Sequence, residues 1–224
     1  MHVHTTRGST DSGLSPADLV SVANELNLDG VCITEHGGSW SDAELQEVAD
    51  GTGLALFSGR EIETEVGHVL AIGLPRYEAG LHRFSALTEF ASRNGVALVF
   101  AHPFRYHTDP PAGQSCLLTA GLSEPVPELR MNAEALAKAI PELSQVHAIE
   151  AANGATSPAD NDLAASAASV LGASTTGGSD AHSAHGIGSG LTRIEGRPRT
   201  SAELAEAIRV GATVAVTGRP DEKS

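Results

Sequence analysis

GVCITEHGG, residues 30–38, joins a short apolar, β-branched run to a polar loop that opens with Glu35 and His36. The residues ahead of it read as a helix. Ser15-Pro16-Ala17-Asp18 supplies an N-cap, a proline at the first helical position and an acid in the first turn, and apolar-periodic sequence follows to about Leu28. The order helix, strand, polar loop then recurs. SDAELQEVADG (41–51) reads as a capped helix, LALFSG (54–59) as a strand, and REIETEVGH as its polar end. VLAIGL (69–74) reads as a strand or hairpin arm, followed by a helix over roughly 83–94 and a buried strand, VALVFA (96–101), ending in His102-Pro103. A proline-containing segment runs on to about Arg130, and loops of that length, here 103–130, are often lids or binding loops. Then come a helix near 132–143, the strand VHAIEA (146–151), a helix near 158–171, the strand ASTTG (173–177), the loop GSDAHSAHGIGSG, a helix at 201–210 and a last strand, ATVAV (212–216).

Strands alternating with helices imply parallel strands joined by right-handed crossovers. With no glycine-rich dinucleotide fingerprint, the pattern predicts an α/β fold of the closed or distorted (β/α) barrel type, as one domain over 1–224. Chemistry in such barrels sits at the C-terminal ends of the strands. His36, His102, Asp180 and His182 each follow a predicted strand, and Glu61 and His68 flank the end of another, while the opposite loops carry no histidine. His2 and His4 open the chain as HxH. In an extended strand both rings share one face, which suggests a metal; a lone HxH at a terminus also reads as a frayed end or tag remnant. Segregation of the other histidines favours a multi-metal site. Only Met1 precedes the pair, which leaves little strand to hold it.

The formal charge is −14, with lysine only at 138 and 223, which argues against a broad nucleic-acid or anionic-membrane surface. Cys32 lies in an apolar strand pattern and Cys116 in a polar loop, and neither has a CxxC partner. With no apolar run of membrane-spanning length and no leader pattern, a cytoplasmic protein is expected.

Eight stretches, HVHT, STDSGLSP, LDGVCITEHG, SGREIE, HVLAIGL, AHPFR, IEAANG and GGSDAH, together resemble the PHP (polymerase and histidinol phosphatase) family of metal-dependent phosphoesterases, in the family's order and at similar spacing. The resemblance runs from the first residue to about Gly190. It implies a distorted seven-stranded (β/α) barrel with a trinuclear metal site at the C-terminal ends of the strands. His2, His4, Glu61 and Asp180 would hold one metal; Glu61 would bridge to a second, bound by His68 and His102; Asp11, His36 and His182 would hold a third. Glu63 and Glu65 share Glu61's strand face, but the Gly59-Arg60-Glu61 context favours Glu61. Asp18 competes with Asp11 and is better explained by its helix.

Imidazole and carboxylate ligands without thiolate suit Zn²⁺, Mn²⁺ or Fe²⁺. Three carboxylates against three dications leave about +3, a match for a phosphate ester even in an acidic protein. The expected reaction is hydrolysis of a phosphomonoester or small phosphodiester, such as a nucleotide or sugar phosphate, by a metal-bridging hydroxide. Arg105 and Arg7, each three residues beyond a candidate ligand, are placed to meet the phosphate, Asn153 to orient substrate or a ligand, and His107 or His185 to protonate the leaving group. His82 and His147 read as structural. Hydrolysis of an amide or cyclic non-phosphate substrate, and a non-catalytic accessory module, are the alternatives.

Overall fold

The computed structural model describes residues 1–116 and 132–218. In chain order its elements are α1 (Pro16–Glu25), β1 (Gly30–Glu35), α2 (Asp42–Ala49), β2 (Ala55–Thr64), β3 (Gly67–Ile72), α3 (Phe84–Asn94), β4 (Ala97–Phe100), α4 (Ala133–Ala139), β5 (Ala148–Asn153), α5 (Pro158–Leu171), β6 (Ser174–Gly178), β7 (Gly190–Ile194), α6 (Ser201–Arg209) and β8 (Thr213–Thr217). Capping chemistry sets the helix starts. Ser15 Oγ accepts the Asp18 N–H to open α1, and Ser41 with Glu44 forms a capping box on α2.

Strands β1 to β6 form one curled sheet in sequence order, and β7 and β8 form a separate antiparallel pair. β1–β2, β4–β5 and β5–β6 are parallel, as the alternating pattern predicts. β2–β3 and β3–β4 are antiparallel, so VLAIGL is the hairpin arm of the two alternatives, and the parallel pattern is interrupted there. The cause is local: only Glu65 and Val66 separate β2 from β3, too few for a crossover, and Thr64 Oγ donates to Gly67 O at 2.6 Å across the turn. REIET is therefore strand rather than polar loop, and Glu61 lies inside β2. The helix near 132–143 is shorter than expected, because Pro141 follows α4 and starts a 3₁₀ turn instead. β7 has no counterpart in the sequence reading. Most of the long loop, from 117 to 130, lies outside the described residues.

Met1–His4 do not make a full strand. They link the sheet's margins: the Thr34 N–H in β1 donates to Val3 O, while Ser179 and Asp180, just past β6, donate to Met1 O and His2 O. A single parallel bridge, Val3 to Ala181, is the result.

Strand alternation divides the sheet into two faces. On the outer face Ile62, Val69, Ala71, Leu98, Phe100 and Ile149 pack under Phe84 and Leu87 of α3, Leu136 of α4 and Ala164 and Ala167 of α5. The inner face changes character along its length. At one end Cys32, Phe57, Leu70, Ile72 and Val99 close against Leu204, Ala205 and Ile208 of α6, which forms an apolar floor. Further along the same face come Glu61 and Glu150, buried and charged. The loop after β4 is tied to α5 by Asp160, whose carboxylate accepts the backbone N–H groups of Tyr106 and Thr108 at 3.2 and 2.9 Å.

Asp160 is 3% exposed, and Asp160→Ala leaves the half-buried Tyr106 and Thr108 amides without their acceptor. Urea unfolding is expected to show a loss of about 1–3 kcal/mol, with Asp160→Asn costing less because it keeps one acceptor.

Candidate metal centre

Glu61 is the hub of the polar end, with its two oxygens facing different partners. Oε2 lies 3.2 Å from His2 Nε2, 3.1 Å from His4 Nε2 and 3.6 Å from His36 Nδ1. Oε1 lies 2.7 Å from His68 Nδ1 and 3.1 Å from His102 Nε2. Asp180 Oδ1 joins the first set, 3.5 Å from both His2 and His4 Nε2. Three groups have ligand atoms gathered within 4.8 Å of one another: His2, His4, Glu61 and Asp180; Glu61, His68 and His102; and His4, His36 and His182. Asp11 Oδ2 stands 3.4 Å from His36 Nε2 and 3.3 Å from His182 Nε2, beside the third group.

Backbone geometry explains this convergence. Glu61 pairs with Leu70 and His68 with Glu63, so Glu61 and His68 are diagonal neighbours on one face of the hairpin. His102 follows Ala101, which already faces the inner side, and simple alternation would turn its ring outward; a φ of 28° redirects it to Glu61. His2 (φ 59°) and Asp180 (φ 50°) also occupy the left-handed region, sparsely populated for such residues and concentrated at functional sites.

A second layer of carboxylates holds the imidazoles from behind. His2 Nδ1 is 2.9 Å from Glu150 Oε1, and His4 Nδ1 is 3.2 Å from Ser9 Oγ, which itself donates to Glu35 Oε2 at 2.6 Å. Glu35 also accepts from the Trp40 indole N–H at 3.0 Å and the Thr5 amide at 3.0 Å. With Nδ1–H directed at these acceptors, the Nε2 lone pairs of His2 and His4 face carboxylate oxygens. Both Nε2 atoms are buried without a hydrogen-bond partner. Lone pairs opposed to anions in a buried site call for a cation between them. Protons fill this role when no metal is bound: burial lowers the His2 pKa, but Glu150, Asp180 and Glu61 outweigh it and raise it well above its usual 6.5. Burial likewise opposes ionisation of Glu61, yet His2, His102 and His4 hold its carboxyl well below the usual range. Burial depresses His102 and His36, which favours the neutral rings that metals need.

The other candidates fall in varied places. Arg105 pairs with Asp180 Oδ2, donates to Asn153 Oδ1 at 2.9 Å and to Thr156 Oγ at 3.2 Å. Asn153 is buried, and its amide also donates to Glu150 at 2.9 Å. His185 lines a pocket with Asp180, His182, Ser183 and Ser189. His107 packs its ring 6.0 Å from that of Phe104. Arg7 is held elsewhere, over the Trp40 ring at 4.2 Å and against Glu44 and Ser39 O. Glu65 receives the Phe84 N–H at the start of α3, Glu63 is exposed, and His147 Nδ1 accepts the Leu98 N–H. The sequence reading missed Glu35 and Glu150. Glu35 is an acid closing an apolar strand run, GVCITE, and Glu150 an acid interrupting one, AIEAAN, and that was the available signal.

Comparisons with known proteins bear on the fold and the family resemblance. A family model described as PHP-associated matches residues 158–213. An error-prone DNA polymerase from Cutibacterium acnes is 32% identical over 81 residues, covering 36% of this chain and only 6% of the polymerase. Among solved structures, a two-domain protein from Bacteroides vulgatus, described as containing a predicted PHP-like metal-dependent phosphoesterase, superposes with a TM-score of 0.64 at 21% identity, over 96% of this chain and 63% of that one. PsfC from Pseudomonas syringae superposes with a TM-score of 0.62 at 20% identity, over 97% of this chain and 90% of that one.

The raised His2 pKa gives a signed prediction. A group whose pKa is higher folded than unfolded stabilises fully below its unfolded value and loses that contribution as pH rises through the folded value. Chelator-treated protein is therefore expected to lose stability in urea as pH rises above about 6.5, a slope that His2→Gln reduces and added Zn²⁺ reverses. The resemblance to the PHP family is borne out by the PHP-associated family model, by a solved structure described as containing a predicted PHP-like phosphoesterase, and by the polymerase match.

Proposed function

We propose that this chain hydrolyses phosphate esters, either phosphomonoesters or small phosphodiesters such as a nucleotide or sugar phosphate, with divalent cations held at three positions. His2, His4, Glu61 and Asp180 form the first, Glu61, His68 and His102 the second, and Asp11, His36 and His182 the third. The observation that carries this reading is the pair of buried, unpartnered Nε2 atoms of His2 and His4 directed at Glu61 and Asp180. Zn²⁺, Mn²⁺ or Fe²⁺ suits such donors. Cations bound there supply Lewis-acid stabilisation of phosphate oxygens and lower the pKa of water. The description of the Bacteroides vulgatus structure supports the same class of chemistry.

The chain's own groups would then bind and orient. Arg105 stands beside Asp180 and Asn153, where its guanidinium can take a phosphate oxygen while Asn153 Oδ1 keeps the fork in place. His185, on the pocket wall next to His182, is the better placed of the two histidines considered for protonating a leaving group. In this reading the Val3 bridge between β1 and the segment after β6 would stand in for the seventh strand of the expected barrel, with the centre at the C-terminal strand ends. A small phosphorylated substrate in the cytoplasm fits this reading of an acidic chain whose cysteines form no CxxC pair. The polymerase match favours a second reading, an accessory module without turnover.

One experiment separates these readings. Protein stripped with chelator and reloaded with Mn²⁺, Zn²⁺ or Fe²⁺ is assayed on phosphomonoesters, phosphodiesters and amides. Metal-dependent turnover of a phosphate ester is expected, and its absence overturns the proposal. Asp180→Ala should abolish that turnover with circular dichroism near native; retained activity removes Asp180 from the ligand set.

A further inference from the structure

Glu150 belongs to none of the three ligand groups, yet it contacts two of their members, His2 and His102. It is 1% exposed. Its Oε1 lies 2.9 Å from His2 Nδ1; its Oε2 lies 3.2 Å from the same nitrogen and also accepts the His102 backbone N–H at 3.0 Å and the Asn153 side-chain amide at 2.9 Å. His2 contacts one oxygen of Glu61 and His102 the other. One outer carboxylate therefore reaches both sides of the hub.

We propose that Glu150 is a positioning residue shared by the two sides of the centre, fixing the His2 ring with its Nδ1 protonated and holding the His102 backbone in the turn that aims its ring at Glu61. The inference rests on the metal reading above and deepens it. Three donors converge on this carboxylate, and a neutral amide of the same size cannot accept from all three. Its NH₂ would meet an N–H head-on.

An independent feature of the backbone supports the assignment. A Cβ on Gly178 would stand 2.1 Å from Glu150 Oε1 and 2.5 Å from His2 Cβ. Gly178 has no positive φ that would itself require glycine, so what it provides is room for the His2–Glu150 contact. The chain thus keeps a position bare at the place where this pair must fit. Asn153 carries the arrangement outward, since the side chain that donates to Glu150 also accepts from Arg105. Loss of Glu150 is accordingly felt at His2, His102 and Arg105 together.

Calorimetric titration of chelator-stripped protein with Mn²⁺, and separately with Zn²⁺, tests the proposal without an activity assay. Glu150→Gln is expected to weaken cation binding about 10- to 100-fold, with circular dichroism near that of the parent. Gly178→Ala, which leaves every donor and every charge in place, should weaken it in the same direction. Parent-like affinity in folded Glu150→Gln, even with a lowered melting midpoint, overturns the positioning role and leaves the metal reading intact. Failure of the parent to bind either cation overturns both. Should the Glu150 variant not fold, ¹⁵N shifts of labelled histidine in the Zn²⁺-loaded parent decide: a proton on His2 Nδ1 supports the proposal, and Nδ1 coordination overturns it.

Discussion

The centre depends on the register of one hairpin. β2 and β3 are joined by a turn so tight that Glu61 can sit opposite only one residue, Leu70, and this pairing puts the Glu61 carboxylate on the inner face with His68 diagonal to it. A slip of one residue would send Glu61 to the outer face, among Ile62, Val69 and Phe100, and the histidines would lose their common partner. The ligands that gather around this carboxylate from outside the hairpin come from different elements: His2 and His4 from the chain's opening stretch, His36 from the end of β1, His102 from beyond β4, and Asp180 from beyond β6.

The electrostatics of the centre are less cationic than ligand counting implies. Three ligating carboxylates against three dications would leave about +3, but Glu150 and Glu35 are two further buried carboxylates behind the imidazoles, Glu150 held ionised by His2 against the opposing effect of burial. The formal excess would fall to about +1. That would still be a positive pocket in a chain of formal charge −14, with Arg105 adding a guanidinium at its margin. The apolar floor beneath strengthens each of these interactions, because a charge above Leu70 and Val99 is poorly screened.

Much of this was legible in the residues because the chemistry lies at strand ends, where an acid or histidine interrupts an apolar run. Ser15 and Ser41 announced their helices, and the α5 boundaries follow from Pro158 at the start and Gly172 in the left-handed conformation at the end. The antiparallel course of β2 and β3 was harder to read, since EIETE alternates with polar residues on the face that the core does not claim. Pattern alone could not tell a strand that buries a charge from a loop that exposes one. Glu150 and Glu35 escaped for a related reason: a carboxylate that serves another side chain carries no motif, and its role shows only when the imidazole it holds is seen. The left-handed turn at His102 is equally invisible in AHPFR, though it decides where the ring points.

Helix α6 gives the architecture a further consequence. By sealing one end of the sheet's interior with Leu204, Ala205 and Ile208, it makes the polar half a well with a bottom. The two halves then answer to different selection. Substitutions in the floor can exchange one aliphatic shape for another and change stability by small steps. In the upper half a change at Glu61 or His2 alters a charge that several neighbours share. A lineage could thus drift to a new working temperature through the floor while its chemistry stayed unchanged above.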